Sequence, residues 1–239
     1  MKIAGLEKQS LVDYPGEVVA VLFSQGCNLS CPYCHNGRLI ATSQRGDDLL
    51  EPEQVEQFLE ERKGFLDGVV FSGGEPTLQP DLPQMIAAVK RQGYLIKLDT
   101  NGTNTAMLQH LLQEKQLDYV AMDIKAPLDF KKYRAVGGGR LTPLKFMNIR
   151  NSVQLLLRQR EVKVEFRTTV VPALHQLEDV AEISRGIKGA AFYTLQQFNP
   201  EKTYDINLQY TQTYTRAELE KIGALCGQYV QKVRVLAQT

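Results

Sequence analysis

The chain is predicted to be an α/β protein, an incomplete TIM-like (β/α)6 barrel with a largely parallel sheet and a cysteine loop after its first strand. Three observations carry this expectation. Short apolar runs alternate six times with amphipathic stretches, the pattern of βα units joined by right-handed crossovers. No shift in composition interrupts the alternation, so residues 1–239 read as a single domain. Polar or glycine-rich clusters follow the successive strands. In a barrel-like sheet all strand ends open on one mouth. A doubly wound sheet would gather its ligand at a switch point between a few strands.

The elements follow in order. Residues 17–23 (EVVAVLF) read as a buried strand, with the cysteines just beyond its end. Residues 52–63 place Val55, Phe58 and Leu59 on one face among Glu and Gln, which argues a helix. Residues 68–71 (GVVF) are a short strand ended by Ser72-Gly73-Gly74-Glu75-Pro76. Asp81 starts a helix with Met85, Ile86 and Val89 inward and Gly93 as its stop. The strand at 94–98 ends in Asp99-Thr100-Asn101-Gly102, and a helix covers 104–115. The strand at 119–124 ends at Lys125, and the stretch around Gly137-Gly138-Gly139 reads as loop. A helix at 145–159, a strand at 162–171 stopped by Pro172, a helix at 177–188 and a strand at 190–195 follow. A polar loop at 196–212 leads to a last helix, opened by a capping box at Thr215 and Glu218. Residues 233–236 are a further short strand.

Composition narrows the class. An apolar fraction of 43% supports a sizeable core, and a formal net charge of +1 gives no support to a nucleic-acid or membrane surface. No apolar run approaches the roughly 20 residues of a spanning helix, and the N-terminus lacks the pattern of a signal peptide. A cytoplasmic location is the default, and there clustered cysteines are ligands rather than disulfides. Cys226 stands alone on the apolar face of the last helix and reads as a packed, inert thiol.

Cys27, Cys31 and Cys34 form a C-x₃-C-x₂-C loop. A closed zinc site takes four ligands, and an ordinary cubane cluster takes four cysteines. Three cysteines on a cubane leave one iron open to a substrate. The alternative is a zinc site completed by His35, although ligands adjacent in sequence are awkward around one ion. Gly73 and Gly74 let a ligand approach the backbone, and Glu75 beside them can accept from an ammonium group. Asp99 sits at a strand end, although Asn101-Gly102 also suits a plain turn. Asp123 and Lys125 share one side of a strand, as a joint site or as a rim salt bridge. Arg167 lies inside a strand and needs a carboxylate partner, from the protein or from a ligand. His110 reads as a surface residue and His175 as a loop residue. Gly137–Gly139 lacks the strand–GxGxxG–helix context of a phosphate loop, and reads as a flexible loop for a protein partner.

The cysteine spacing, with a preceding strand, Gly26 and Tyr33, resembles the radical S-adenosylmethionine superfamily. The stretch Leu11-Val12-Asp13-Tyr14-Pro15-Gly16, Cys34-His35-Asn36, and the motifs at 99–102 and 123–125 narrow it. They resemble the glycyl-radical-enzyme activating proteins, above all the activator of anaerobic ribonucleoside-triphosphate reductase. The resemblance spans roughly residues 5–200. It implies one 4Fe-4S cluster on Cys27, Cys31 and Cys34, with S-adenosylmethionine on the open iron. By the same resemblance Tyr33 lies near the adenine, and Gly73, Gly74 and Glu75 meet the methionine ammonium. Asp99 meets the ribose or a cation and Lys125 the carboxylate, with Asn101, Asp123 and Arg167 alongside. Some relatives carry a histidine where Asn199 stands, and Asn199 substitutes for it. Residues 37–67 hold no cysteine, so no second cluster is expected. The implied activity starts with an electron from a low-potential donor such as flavodoxin or ferredoxin. A 5′-deoxyadenosyl radical then takes a glycine α-hydrogen from the partner enzyme. A 7-carboxy-7-deazaguanine synthase, with Gln196, Gln197 and Asn199 around a heterocycle, is the alternative within the superfamily. A zinc-stabilised binding module is the alternative outside it.

Overall fold

Near-continuous apolar runs belong to strands covered on both faces, and the chain supplies them in sequence order. The structure, a computed structural model, describes residues 1–41 and 49–237. Strand β1 (Ile3–Ser10) is followed by β2 (Val19–Ser24), α1 (Pro52–Glu61), β3 (Gly68–Gly73), α2 (Leu82–Arg91) and β4 (Leu95–Thr100). Then come α3 (Thr105–Gln113), β5 (Tyr119–Asp123), α4 (Phe130–Gly137), α5 (Pro143–Leu157) and β6 (Lys163–Val170). Helix α6 (Leu177–Gly186), β7 (Phe192–Gln197), α7 (Arg216–Cys226) and β8 (Lys232–Leu236) complete it.

The eight strands form one sheet in unbroken order from β1 to β8. β1 runs antiparallel to β2, and each later strand is parallel to its predecessor. An order without reversal has no switch point, so the strand ends share one rim, as the barrel expectation requires. The sheet ends at β1 and β8, which are not neighbours, and the barrel stays open between them. Outward residues pack under the helices in the main core. Inward, Val19, Val21, Val70, Tyr119 and Ala121 close on Tyr14, which the β1–β2 connection turns into the barrel base. The rings of Tyr14 and Tyr119 meet edge to face, with centroids 5.3 Å apart. Among the described residues no helix is long and apolar enough to cross a membrane.

Three elements depart from the sequence reading. β1 was not expected, because IAGLEKQS alternates weakly and gains its order from pairing with β2. α4 replaces an expected loop: Asp129 caps it by accepting from the Lys132 amide at 3.0 Å, and Tyr133 and Val136 are buried. β7 lies two residues beyond the expected strand, because its pairing with β6 continues through Thr169↔Gln196 and Val170↔Gln197.

Candidate active site

The cysteine loop leaves the end of β2 and is stitched to the end of β3. Gly74 donates its amide to the Ser24 carbonyl at 2.9 Å, and Glu75 donates to Gly26 at 2.8 Å. A Cβ on Gly74 would overlap the Gly26 carbonyl, and one on Gly73, where φ is +111°, would overlap the backbone at Ser24. The glycines therefore serve a backbone-to-backbone approach, not only the ligand approach expected from sequence. From the other side α4 braces the loop. The Gly137 carbonyl accepts from the Ser30 amide at 3.1 Å. Arg140 donates to the carbonyls of Cys27 and Ile40 at 3.2 and 3.1 Å, and Lys145 to that of Asn28 at 2.9 Å. The glycine stretch expected to be a flexible loop for a partner is thus a brace for the cysteines.

The stitching places the three cysteines on the wall of one cavity of about 360 Å³ at the C-terminal strand ends. Tyr33, Gly73, Gly74, Glu75, Asp99, Asn101, Asp123, Lys125 and Arg167 line it too. Asn199 does not. Its side-chain oxygen accepts from the Glu201 amide at 2.9 Å in the turn after β7, and its carbonyl meets His35 Nε2 at 3.0 Å. Gln196, drawn into β7, lines the cavity instead, and Asp13 and Thr169 join it.

Across the cavity runs a chain of alternating charges. Lys97 Nζ lies 2.5 Å from Asp99 Oδ1, and Asp99 Oδ2 lies 3.3 Å from Arg167. Arg167 Nε reaches Asp123 Oδ1 at 3.0 Å, and Asp123 Oδ2 lies 3.3 Å from Lys125 Nζ. Burial pushes both carboxyls up, but their cationic neighbours, Arg167 foremost, hold them below the usual carboxylate range. Burial opposes the charge of Lys125; Tyr33, Cys31 and Asp123 outweigh it and keep the ammonium protonated. Three cations face two carboxylates, so the chain carries a positive excess, suited to an anion. Lys97 was missed in sequence. It is 1% exposed, and a lysine that deep needs a partner. The signal was its position two residues before Asp99, on the same strand face.

Glu75 is fully buried and burial raises its pKa. Its Oε1 accepts from Thr77 (Oγ1, 2.5 Å) and Thr100 (Oγ1, 2.8 Å), and its Oε2 from the Asn101 amide at 2.7 Å. Oε2 keeps one further acceptor position. Asn101 Nδ2 donates to Asn28 at 3.1 Å and lies 3.9 Å from Cys27 Sγ. Lys125 Nζ stands 5.9 Å from the centre of the Tyr33 ring.

Burial pushes the Cys27 thiol up to about 12, and burial also raises Cys31 and Cys34, against the pull of Lys125. Soft sulfur donors of this kind suit an iron–sulfur cluster, which binds them as thiolates. Among the described residues no three His, Cys, Asp or Glu side chains converge on one metal ion. His35 spends Nε2 on the Asn199 carbonyl. Cys226, fully buried on α7, lies against the Val180 carbonyl at 3.8 Å and supplies no fourth thiol. The residues present therefore fit a cluster with one open position. His110 is exposed, as expected. His175 lies in the loop between β6 and α6, as expected, but it is buried there: it is 1% exposed, accepts from the Val171 amide at 3.0 Å and meets the Lys125 carbonyl at 2.7 Å.

Residues 21–183 match the family model described as the Radical SAM superfamily. Over 232 residues the chain is 35% identical to a Methanocaldococcus jannaschii protein whose name describes a glycyl-radical enzyme activating enzyme, covering 97% of this chain and 94% of that one. It is 32% identical over 213 residues to the pyruvate formate-lyase-activating enzyme of Clostridium pasteurianum, covering 86% and 84%. In fold it is similar to Streptococcus suis SuiB bound to S-adenosylmethionine, with a TM-score of 0.67, 15% identity, and 92% of this chain and 50% of that one covered.

Proposed function

The chain belongs to the radical SAM superfamily, and on that premise we infer that it activates a glycyl-radical enzyme, anaerobic ribonucleoside-triphosphate reductase in particular. Members of the superfamily use a 4Fe-4S cluster and S-adenosylmethionine. When bound, the pair would supply reductive hydrogen-atom abstraction, directed here at a glycine α-hydrogen of the partner enzyme. The observation that carries the reading is three thiols sharing one cavity with a positive charge chain and no fourth thiol.

Cys27, Cys31 and Cys34 hold the cluster. Lys125 and Arg167 attract the cofactor carboxylate, while Asp99 and Asp123 keep both cations in place. The remaining acceptor position on Glu75 takes the ammonium, with Gly73 and Gly74 leaving room at the backbone. Asn101 holds the cysteine loop to the end of β4 through Asn28. Tyr33 lies beside the cofactor base. Asn199 stands outside the cavity lining, with its side-chain oxygen on the Glu201 amide, and would reach the cofactor only through its amide nitrogen. Flavodoxin or ferredoxin supplies the electron, in the cytosol. Gln196 and Thr169, beyond Arg167 in the cavity wall, are the groups a heterocycle would need, and they support the deazaguanine-synthase reading as the second one.

The test combines the reconstituted, reduced protein with S-adenosylmethionine and the reductase. Electron paramagnetic resonance should show a glycyl doublet with the native chain and none with Cys31→Ala, which should also fail to bind a cluster. Cofactor cleavage without a doublet would overturn the partner. A native chain that binds a cluster yet cleaves no cofactor would overturn the whole reading.

A further inference from the structure

The base of the barrel is filled unevenly. Below β2 to β5 the inward residues close on Tyr14. Below β6 to β8 no strand stands opposite, because β8 ends the sheet. A second cavity of about 600 Å³ opens there, walled by Tyr119, Phe192, Thr194, Val235 and, from the β1–β2 connection, Pro15. It shares no lining residue with the cysteine cavity. Glu165 and Arg167, inward on β6 and two residues apart, line the lower and the upper cavity respectively. Its volume lies in the range of small-molecule sites, about 300 to 1,000 Å³.

The walls are mainly apolar, yet the charges are biased to one sign. Lys163, Lys232 and Arg234 line the cavity, against one acid, Glu165. Glu165 is 2% exposed and already spent. Its Oε1 accepts from Arg234 at 2.7 Å and from the Thr194 hydroxyl, and its Oε2 accepts from Tyr119 at 3.0 Å. Among the described residues neither Lys163 nor Lys232 has a carboxylate partner. Lys232 Nζ instead stands 5.9 Å from the centre of the Phe192 ring. Arg234 uses Nε and NH2 on Thr194 and Glu165, and among the described residues its NH1 has no partner. Phe192 is 40% exposed, so an aromatic face lies open beside these cations.

We propose that this cavity binds a small organic anion with a flat apolar body, an aromatic carboxylate or sulfonate. The body lies on Phe192 and Tyr119, and the anionic group meets Lys163, Lys232 and the free edge of Arg234. The site does not depend on the cluster chemistry above it.

Binding of 8-anilinonaphthalene-1-sulfonate to the full, cluster-reconstituted chain tests this by fluorescence. The chain contains no tryptophan to contribute emission. The sulfonate should saturate at one molecule per chain. N-phenyl-1-naphthylamine, which has the same rings without the charge, should bind at least about tenfold more weakly. The double variant Lys163→Gln, Lys232→Gln should weaken the sulfonate about tenfold and leave the neutral probe unchanged. Phe192→Ala should weaken both. The lysines serve as the charge test because both are exposed, whereas replacing Arg234 would strand the buried Glu165. Equal affinity for the two probes, stoichiometry above one, or no response to the lysine variants would overturn the proposal. Displacement by a partner polypeptide but not by naphthalene-2-carboxylate would also overturn it, and would mark a protein-docking face instead.

Discussion

His175 shows how one residue can position another without touching a ligand. Its Nδ1 accepts the Val171 amide, so the ring proton sits on Nε2 and is donated to the Lys125 carbonyl. Burial lowers its pKa below the ordinary histidine value, against smaller upward pulls from the Lys125 carbonyl and Asp179. The folded chain therefore prefers the neutral ring. The associated stability is complete above the unfolded value, about 6.5, and is lost as pH falls through the lower folded value. Urea unfolding midpoints should accordingly drop between pH 7.5 and pH 5.5, and His175→Gln should flatten that dependence. An unchanged slope in the variant would refute the assignment. Sequence showed only a histidine past a proline; its burial comes from contacts 50 residues away.

At the scale of elements, the cysteine loop is held between the end of β3 and helix α4. Gly138 is the closest point of the second contact. Its φ is +84°, and a Cβ there would overlap the Ser30 carbonyl, whereas Gly139 has open space around it. Gly138→Ala should cost more than about 1 kcal/mol in urea unfolding. It should also lower the iron bound per chain after reconstitution. Gly139→Ala should match the native chain in both, and equal behaviour of the two variants would refute the brace. The helix was illegible in sequence because its turns carry Lys131, Lys132 and Arg134 beside a glycine run, which reads as loop. It forms because Tyr133 and Val136 find a core that lies elsewhere in the chain. The last helix was legible, since its capping box at Thr215 and Glu218 is a local device, and it is present.

For the whole molecule, an open barrel must fill its own interior without a closing strand. Tyr14 does this beneath β2 to β5. It is 2% exposed, and its ring packs on Tyr119. Tyr14→Ala should destabilise the chain by about 3 kcal/mol, the cost of a large aromatic removed from a core. Calorimetric or urea unfolding would measure it, and a loss under about 1 kcal/mol would mean the base is not packed as described. The alternation of strands and helices, the cysteine spacing and the polar strand ends are all legible in the residues alone. Each of these is written in residues a few positions apart, where the periods of strand and helix act. The pairing of the charges came from the packed sheet instead. Asp123 stands beside Arg167 because β5 and β6 align them in register, and Lys97 is buried because β4 lies inside the sheet. The extension of β7 two residues beyond its apolar run likewise puts Gln196 in the cavity lining and Asn199 outside it. Register and strand order depend on residues far apart in the chain, and no local pattern encodes them.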